Sequence, residues 1–322
     1  MIEKDYVIGI DLGGTKILTM LVDQQGDIIA KVKRATEADK EPSKIIDNLK
    51  QTVVTVTEQA GIGLDEVKGI GLGAPGLLDL EQGAIIDTPN LNLKGVQIVE
   101  QLKEFGPAVF LENDANAAAI AEKWFGAGRD VEDLVYVTVS TGIGGGIIVN
   151  GEVCHGLGNG GEIGHMTIDP TSKLQCSCGN YGCWEVLASG TALARRAKEV
   201  VISNPDTLLR QMVEDIEQID GAIVAEAARK GDLVAQGLMT ELAEYVGLGL
   251  ANLITIFNPE KIVLGGGVSK SWELLKPTVE ETISKRVMKP LLDGFEIVVA
   301  QLGTEAGGIG AATIALLKLE LI

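Results

Sequence analysis

The chain is 322 residues long, enough for two domains or one large one, and its 46% apolar share can fill real cores. A formal net charge of −18 argues against a nucleic-acid partner, which needs a basic face, but leaves room for a nucleotide held by local amides, helix N-termini and Mg2+. No segment is long and uncharged enough to span a bilayer, and Met-Ile-Glu-Lys-Asp runs straight into a strand without a secretory leader, so the expected location is cytoplasmic and no membrane partner is expected.

Residue patterning predicts strands at 5–11, 16–22 and 27–34, the first two joined by a Gly-Gly-Thr turn. A helix is expected over 42–60, with Pro42 in its first turn. A strand at 67–73, a loop at 73–76, a helix at 95–104, an extended stretch at 107–112 and a helix at 114–125 follow. The pattern then restarts. Strand 133–139, turn 140–146 and strand 146–149 echo the strand–turn–strand of residues 5–22. Residues 150–184 read as loop. Helices at 185–202, 221–229 and 232–257, a strand at 260–264, a helix at 272–286, a strand at 295–301 and a closing helix at 305–319 complete the chain. Two α/β domains are expected, one over 1–120 completed by the C-terminal helix 305–322, the other over 121–304 with a cysteine-rich loop, and a cleft between them.

Glycine makes up 41 of the 322 residues, above a typical share of ~7%, and it clusters. Asp11-Leu-Gly13-Gly14-Thr15-Lys16 is no Walker loop, because Thr precedes Lys. It reads as a hairpin turn whose bare amides and Thr15 hydroxyl can approach phosphate oxygens. Asp11, at the strand end, can hold Mg2+ directly or through water. The plain alternative is an ordinary turn with Gly at positive φ, and Lys16 is as well explained by solvation as by phosphate. Ser140-Thr141-Gly142-Ile-Gly144-Gly145-Gly146 is a second such turn. Gly265-Gly266-Gly267 is a third, where missing side chains would let an adenine or ribose lie against the backbone. Gly71-Leu-Gly73-Ala-Pro-Gly76 matches G-x-G-x-x-G, but Pro75 and the non-helical 77–83 follow, so a dinucleotide fingerprint is rejected.

Residues 165–183 hold one of two histidines and three of four cysteines. His165, Cys176, Cys178 and Cys183 form the donor set of a closed tetrahedral structural zinc site, and so clustered a set suits a reducing compartment rather than disulfides. Gly179 and Gly182 permit the turns that let Cys178 and Cys183 converge. Glu162 and Glu185 bracket the cluster and are acceptors suited to a polyol. The zinc would shape a pocket rather than activate water. Cys154 reads as a small filler and His155 as structural. Asp114 stands where a strand gives way to a helix, placed either to accept a proton from a hydroxyl or simply to cap the helix.

Together Asp-Leu-Gly-Gly-Thr-Lys at 11–16, Gly-Ala-Pro-Gly at 73–76, Glu-Asn-Asp-Ala-Asn at 112–116, Gly-Gly-Glu-Ile-Gly-His at 160–165, the Cys-Ser-Cys…Cys-Trp-Glu run at 176–185 and Leu-Gly-Gly-Gly at 264–267 resemble the ROK family of repressors, open reading frames and kinases. The resemblance covers nearly the whole chain and lies on the side of the bacterial ATP-dependent glucokinases. It implies the two-domain actin-like ATPase, ribonuclease H-like fold and ATP-dependent phosphorylation of glucose to glucose 6-phosphate, with Mg2+ and structural Zn2+ as cofactors and Asp114 as the general base. It implies that Gly73, Asn113, Glu162, His165 and Glu185 bind the sugar, and that Asp11, Gly13, Gly14, Thr15, Lys16, Thr141, Gly142, Gly266 and Gly267 bind the nucleotide. It also implies a homodimer. Rival readings are a kinase for fructose, mannose or N-acetylmannosamine, and a sugar-binding regulator without catalysis.

Overall fold

The computed structural model describes residues 4–88 and 90–322; Met1–Glu3, on which the reading of the leader partly rests, and Pro89 lie outside the described residues. The strands are β1 Tyr6–Leu12, β2 Lys16–Asp23, β3 Ile28–Ala35, β4 Val67–Ala74, β5 Leu77–Asp79, β6 Ala84–Asp87, β7 Ala108–Asn113, β8 Leu134–Val139, β9 Ile143–Val149, β10 Glu152–Val153, β11 Lys261–Gly265 and β12 Glu296–Val299. The helices are α1 Pro42–Ala60, α2 Ile98–Leu102, α3 Asp114–Phe125, α4 Trp184–Ala188, α5 Gly190–Ser203, α6 Leu208–Gln211, α7 Gly221–Arg229, α8 Leu233–Phe257, α9 Trp272–Arg286 and α10 Ala306–Lys318.

Two five-stranded sheets share one plan, in the orders β3-β2-β1-β4-β7 and β10-β9-β8-β11-β12. In each, an antiparallel hairpin is extended by parallel strands: β1 pairs in parallel with β4 and β4 with β7, while β8 pairs in parallel with β11 and β11 with β12. The repeat read from the two strand–turn–strand units therefore extends to the whole sheet.

The chain divides into two compact units, Met1–Val131 with Gly146–Gly161 and Gln301–Ile322, and Glu132–Gly145 with Glu162–Ala300. The first takes in 146–161, a stretch assigned by sequence to the second domain. Its core is the first sheet between α1 on one face and α10 on the other. Helix α1 starts at Pro42 and stops at Gly61, which adopts the left-handed conformation open to glycine. Its stripe Ile45, Leu49, Val53 and Val56 is fully buried, each side chain worth about 1.5–3 kcal/mol of burial. Helix α10 lies directly on the sheet because β1 and β4 present glycine to it. A Cβ at Gly9 would sit 2.0 Å from the Gly308 carbonyl oxygen, and one at Gly71 only 1.7 Å from that of Ala311. Either Gly→Ala change would push the helix off.

In the second unit α8 is the central helix. Trp184 is fully buried against it, its indole N–H donating to the Tyr245 carbonyl at 2.9 Å, and Gly249 makes room for the ring.

The expected helix over 185–202 is two helices. Ser189 is extended (φ −77°, ψ 166°), and its hydroxyl caps α5 by accepting from Ala192 N–H. A serine able to satisfy a free amide competes with helix continuation. The helix expected over 95–104 begins only at Ile98, because Gly95 has φ of 71°. Strand β9 begins three positions before the predicted 146, at Ile143. The β5–β6 hairpin was not anticipated.

Candidate functional site

In the first unit, the parallel strands β1, β4 and β7 end side by side. Asp11 is in register with Gly73, and Gly73 with Glu112, one position before Asn113. Ligands of such sheets bind beyond the carboxyl ends of the strands. Asn113 is the N-cap of α3, its Oδ1 accepting from the N–H groups of Ala115 at 2.9 Å and Asn116 at 3.2 Å. Asp114 is thus the first helical residue and not the cap. Its Oδ1 also accepts from Ala115 N–H, at 2.8 Å. Burial raises its pKa above the ordinary carboxylate range, against the opposing pull of that amide. Asp11 is pushed up to about 6, first by burial and then by the charge of Asp114, with Lys16 opposing. The start of α10 comes against it, since a Cβ at Gly307 would lie 2.7 Å from the Asp11 carboxyl carbon. Two carboxyl groups both raised by burial, one of them also by the other's charge, mark a site suited to proton transfer or cation binding.

Gly13 and Gly14 are absent from the residues with positive φ, so the turn does not need glycine for its backbone. Gly13 N–H donates to the Lys16 carbonyl at 3.0 Å, and Thr15 is exposed at the tip. Glycine here leaves the turn bare, the property a phosphate would use.

In the second unit, the nitrogen and sulfur donors of His165, Cys176, Cys178 and Cys183 all lie within 4.8 Å of one another. Two sulfurs at about 2.3 Å from one zinc at the tetrahedral angle would be about 3.8 Å apart, and Cys178 and Cys183 Sγ are 3.7 Å apart. His165 Nδ1 lies 3.4 Å from Cys176 Sγ, again the separation of neighbouring ligands. Burial and the adjacent sulfurs push the Cys183 thiol up to about 12, while the Asn180 amide lowers that of Cys178. A cation bound among them is what would let all three sulfurs be thiolates. The donor set fits zinc.

The other His165 ring nitrogen faces Glu162, with Nε2 3.9 Å from its Oε2. Glu185 lies in the first turn of α4, next to Cys183 at the N-cap and Trp184, which is locked into the core. Its Oε2 accepts from Ile143 N–H at 3.0 Å. A Cβ at Gly142 would lie 2.3 Å from that oxygen, so Gly142 is bare to admit a carboxylate. Its predicted role was nucleotide contact.

A cavity of about 580 Å3 opens beside the two later glycine turns. Thr141 and Gly267 line it, and a Cβ at Gly267 would meet only Ser140 Oγ, at 3.9 Å. Gly266 takes φ of 85°, tucked 2.3 Å (as Cβ) from the Val139 carbonyl oxygen, and so shapes the turn. Sequence reading missed several of the lining residues: Gly190 and Thr191 at the start of α5, Asp220 and Gly221 at the start of α7, and Arg229 and Lys270. The break at Ser189 is the signal that could have found the first pair, since it frees a capped helix N-terminus.

The ROK family model matches residues 7–318. The glucokinase of Thermotoga maritima is 35% identical over 314 residues, 97% of each chain. A ROK family glucokinase from Streptomyces griseus, solved in complex with glucose and AMPPNP, aligns at 36% identity and a TM-score of 0.80 over 96% of this chain and 98% of that one. A ROK family transcriptional regulator, a homologue of the E. coli MLC protein, aligns at 29% identity and a TM-score of 0.87, over 97% of this chain and 78% of the regulator. With its duplicated sheet plan, the fold is the actin-like ATPase fold of the ROK kinases, and the chain belongs to the ROK family.

Proposed function

We propose that this chain is an ATP-dependent sugar kinase that forms glucose 6-phosphate, with Asp114 as general base. The observation that carries the reading is the sheltered Asp114 carboxyl at the start of α3, beside Asp11, in a chain similar to glucokinases. Phosphoryl transfer asks for alignment, charge neutralisation and a base near the acceptor. Asp114 would take the proton of the primary hydroxyl and aim its oxygen. Asn113 commits Oδ1 to the helix cap, so its amide N–H groups remain to donate to the sugar. Glu162, His165 and Glu185 would hold the other hydroxyls, with Gly73 leaving space at the strand end. His165, Cys176, Cys178 and Cys183 would hold zinc, which when bound supplies rigidity to a loop with little regular structure. Asp11 would hold Mg2+ directly or through water; when bound, the ion supplies charge neutralisation. Gly13, Gly14 and Thr15 would meet the phosphates, and the cavity beside Thr141 and Gly267 would take the nucleoside. A cytoplasmic homodimer goes with this reading.

The similarity to a transcriptional regulator supports a second reading, a sugar-binding regulator. ADP release with Mg-ATP across glucose, fructose, mannose and N-acetylmannosamine tests both. Turnover on glucose is expected. Turnover on another hexose would replace the substrate and keep the mechanism. Sugar binding without turnover in zinc-replete protein, with a shifted DNA band, would replace the kinase by the regulator.

A further inference from the structure

Behind Asn113 and Asp114 runs a hydrogen-bond chain that the reaction above does not use. Glu112 is 5% exposed, yet both of its carboxylate oxygens are engaged. Oε1 accepts from Asn113 N–H at 2.9 Å and from the Asn116 side-chain amide at 3.0 Å. Oε2 lies 2.7 Å from His155 Nε2. One buried carboxylate therefore grips both the residue that caps α3 and the first turn that carries Asp114. A buried carboxylate needs cationic or donor partners, and besides the two amides His155, half-buried in the loop after β10, supplies one that can carry charge. The carboxylate raises the pKa of His155, with burial and Lys318 opposing.

We infer that Glu112 and His155 are a positioning pair, which sets the orientation of Asn113 and Asp114 and offsets the negative charge behind Asp114. The inference rests on Asp114 being the base. A helix-capping role alone would need only the Oε1 bonds. The His155 contact adds a charge, and the charge makes a separate prediction. With the imidazole removed, Glu112 Oε2 loses its charged partner two residues from Asp114, and the exposed negative end should raise the Asp114 pKa further. The groups bearing on His155 are Glu112 from β7 and Lys318 from α10, with Lys103 and Glu81 on the same cavity of about 470 Å3. Those bearing on Asp114 are Asp11 from β1 and the Ala115 amide.

The test compares wild type, His155→Leu, His155→Gln and the double variant Glu112→Gln/His155→Leu in steady-state phosphorylation from pH 5 to 9. Amide exchange at Ala115 and Asn116 is followed alongside. His155→Leu should lower kcat about tenfold through lost alignment, with the sugar KM within about twofold. Its acidic limb should move up by about half a pH unit. His155→Gln, which restores a donor without the charge, should recover kcat but not the limb. The double variant should return the limb to its wild-type position. Wild-type kcat and an unmoved limb in His155→Leu would overturn the inference, as would a loss of activity that only follows a lower Tm. If His155→Leu does not fold, His155→Gln carries the test: wild-type kcat with a raised acidic limb supports the inference, and an unmoved limb overturns it. If wild type phosphorylates no sugar, the kinase reading fails by itself. The pair is then judged by exchange at Ala115 and Asn116: about tenfold faster in His155→Leu supports positioning, and unchanged exchange overturns it.

Discussion

The two groups of acidic residues are held in place by different means. Asp11 and Asp114 stand at the ends of regular elements, one closing β1 and the other opening α3, with α10 packed against Asp11. Glu162 precedes, and Glu185 in the short helix α4 follows, a stretch whose regular pieces are one 3-10 turn and isolated bridges. The first pair is positioned by a hydrogen-bonded sheet and a capped helix. The second flanks the four donors of His165, Cys176, Cys178 and Cys183, with Glu185 anchored beside the buried Trp184. Regular structure can build a site wherever several elements end together; a loop with few backbone bonds of its own gains most from a metal clip.

The comparison breaks most sharply at Asp114. Asp114→Asn keeps the shape and the Ala115 contact, so the fold should survive, while kcat falls about 10²–10⁴-fold for loss of a positioned base. Circular dichroism beside an ADP-release assay checks it, and near-normal kcat would remove Asp114 from the mechanism.

Cys183→Ser should act on the other region alone. Metal content by mass spectrometry should fall from one zinc per chain toward none. Sugar affinity should drop by about 10–100-fold, and protease should cut between 162 and 185. The exchange protection of α3 should stay intact. Loss of protection in both regions would show that the clip is not local.

Asp11 sharpens the first region through pH. Its pKa is raised from 3.8 to about 6, so the folded state binds the proton more tightly than the unfolded chain does. Its contribution to stability is whole below pH 3.8 and is lost as pH rises through about 6. Without divalent metal, Asp11→Asn should therefore be more stable than wild type at pH 7 by up to ~3 kcal/mol, with no gain at pH 3.5. Denaturant melts at the two pH values measure this, and a gain of equal size at both would refute it.

The smallest change is Gly142→Ala. The added methyl must displace the Glu185 carboxylate, whose nearest oxygen is 2.3 Å away. The expected result is a sugar KM raised about tenfold with kcat altered less. A raised ATP KM instead would support the nucleotide role expected for Gly142 from sequence.

Much of this was legible in the sequence because it is local. The one nitrogen and three sulfur donors lie within one short run, the Asn113–Asp114 junction follows a visible strand, and α1 announces itself by Pro42, its apolar stripe and Gly61. The illegible parts depend on distant residues. Ser189 breaks a run with good helical pattern because its hydroxyl finds the Ala192 amide. The nucleotide-sized cavity borrows Arg229, Asp220 and Lys270 from segments without any motif. His155 looked isolated because Glu112 is 43 positions away.

What the sequence by itself determined is chemistry: three sulfurs and an imidazole that suit one ion, glycine turns bare of side chains, and a repeated strand–turn–strand that commits the chain to two like sheets. These follow from residue types at short spacing, where the backbone leaves few alternatives. Only the tertiary structure decided which of these groups are sheltered and what each one faces. The pKa of Asp11, the fit of Gly142 to Glu185 and the pairing of Glu112 with His155 all arise from burial and Coulomb contact between residues remote in the chain, and such proximity exists only once the sheets and helices have packed.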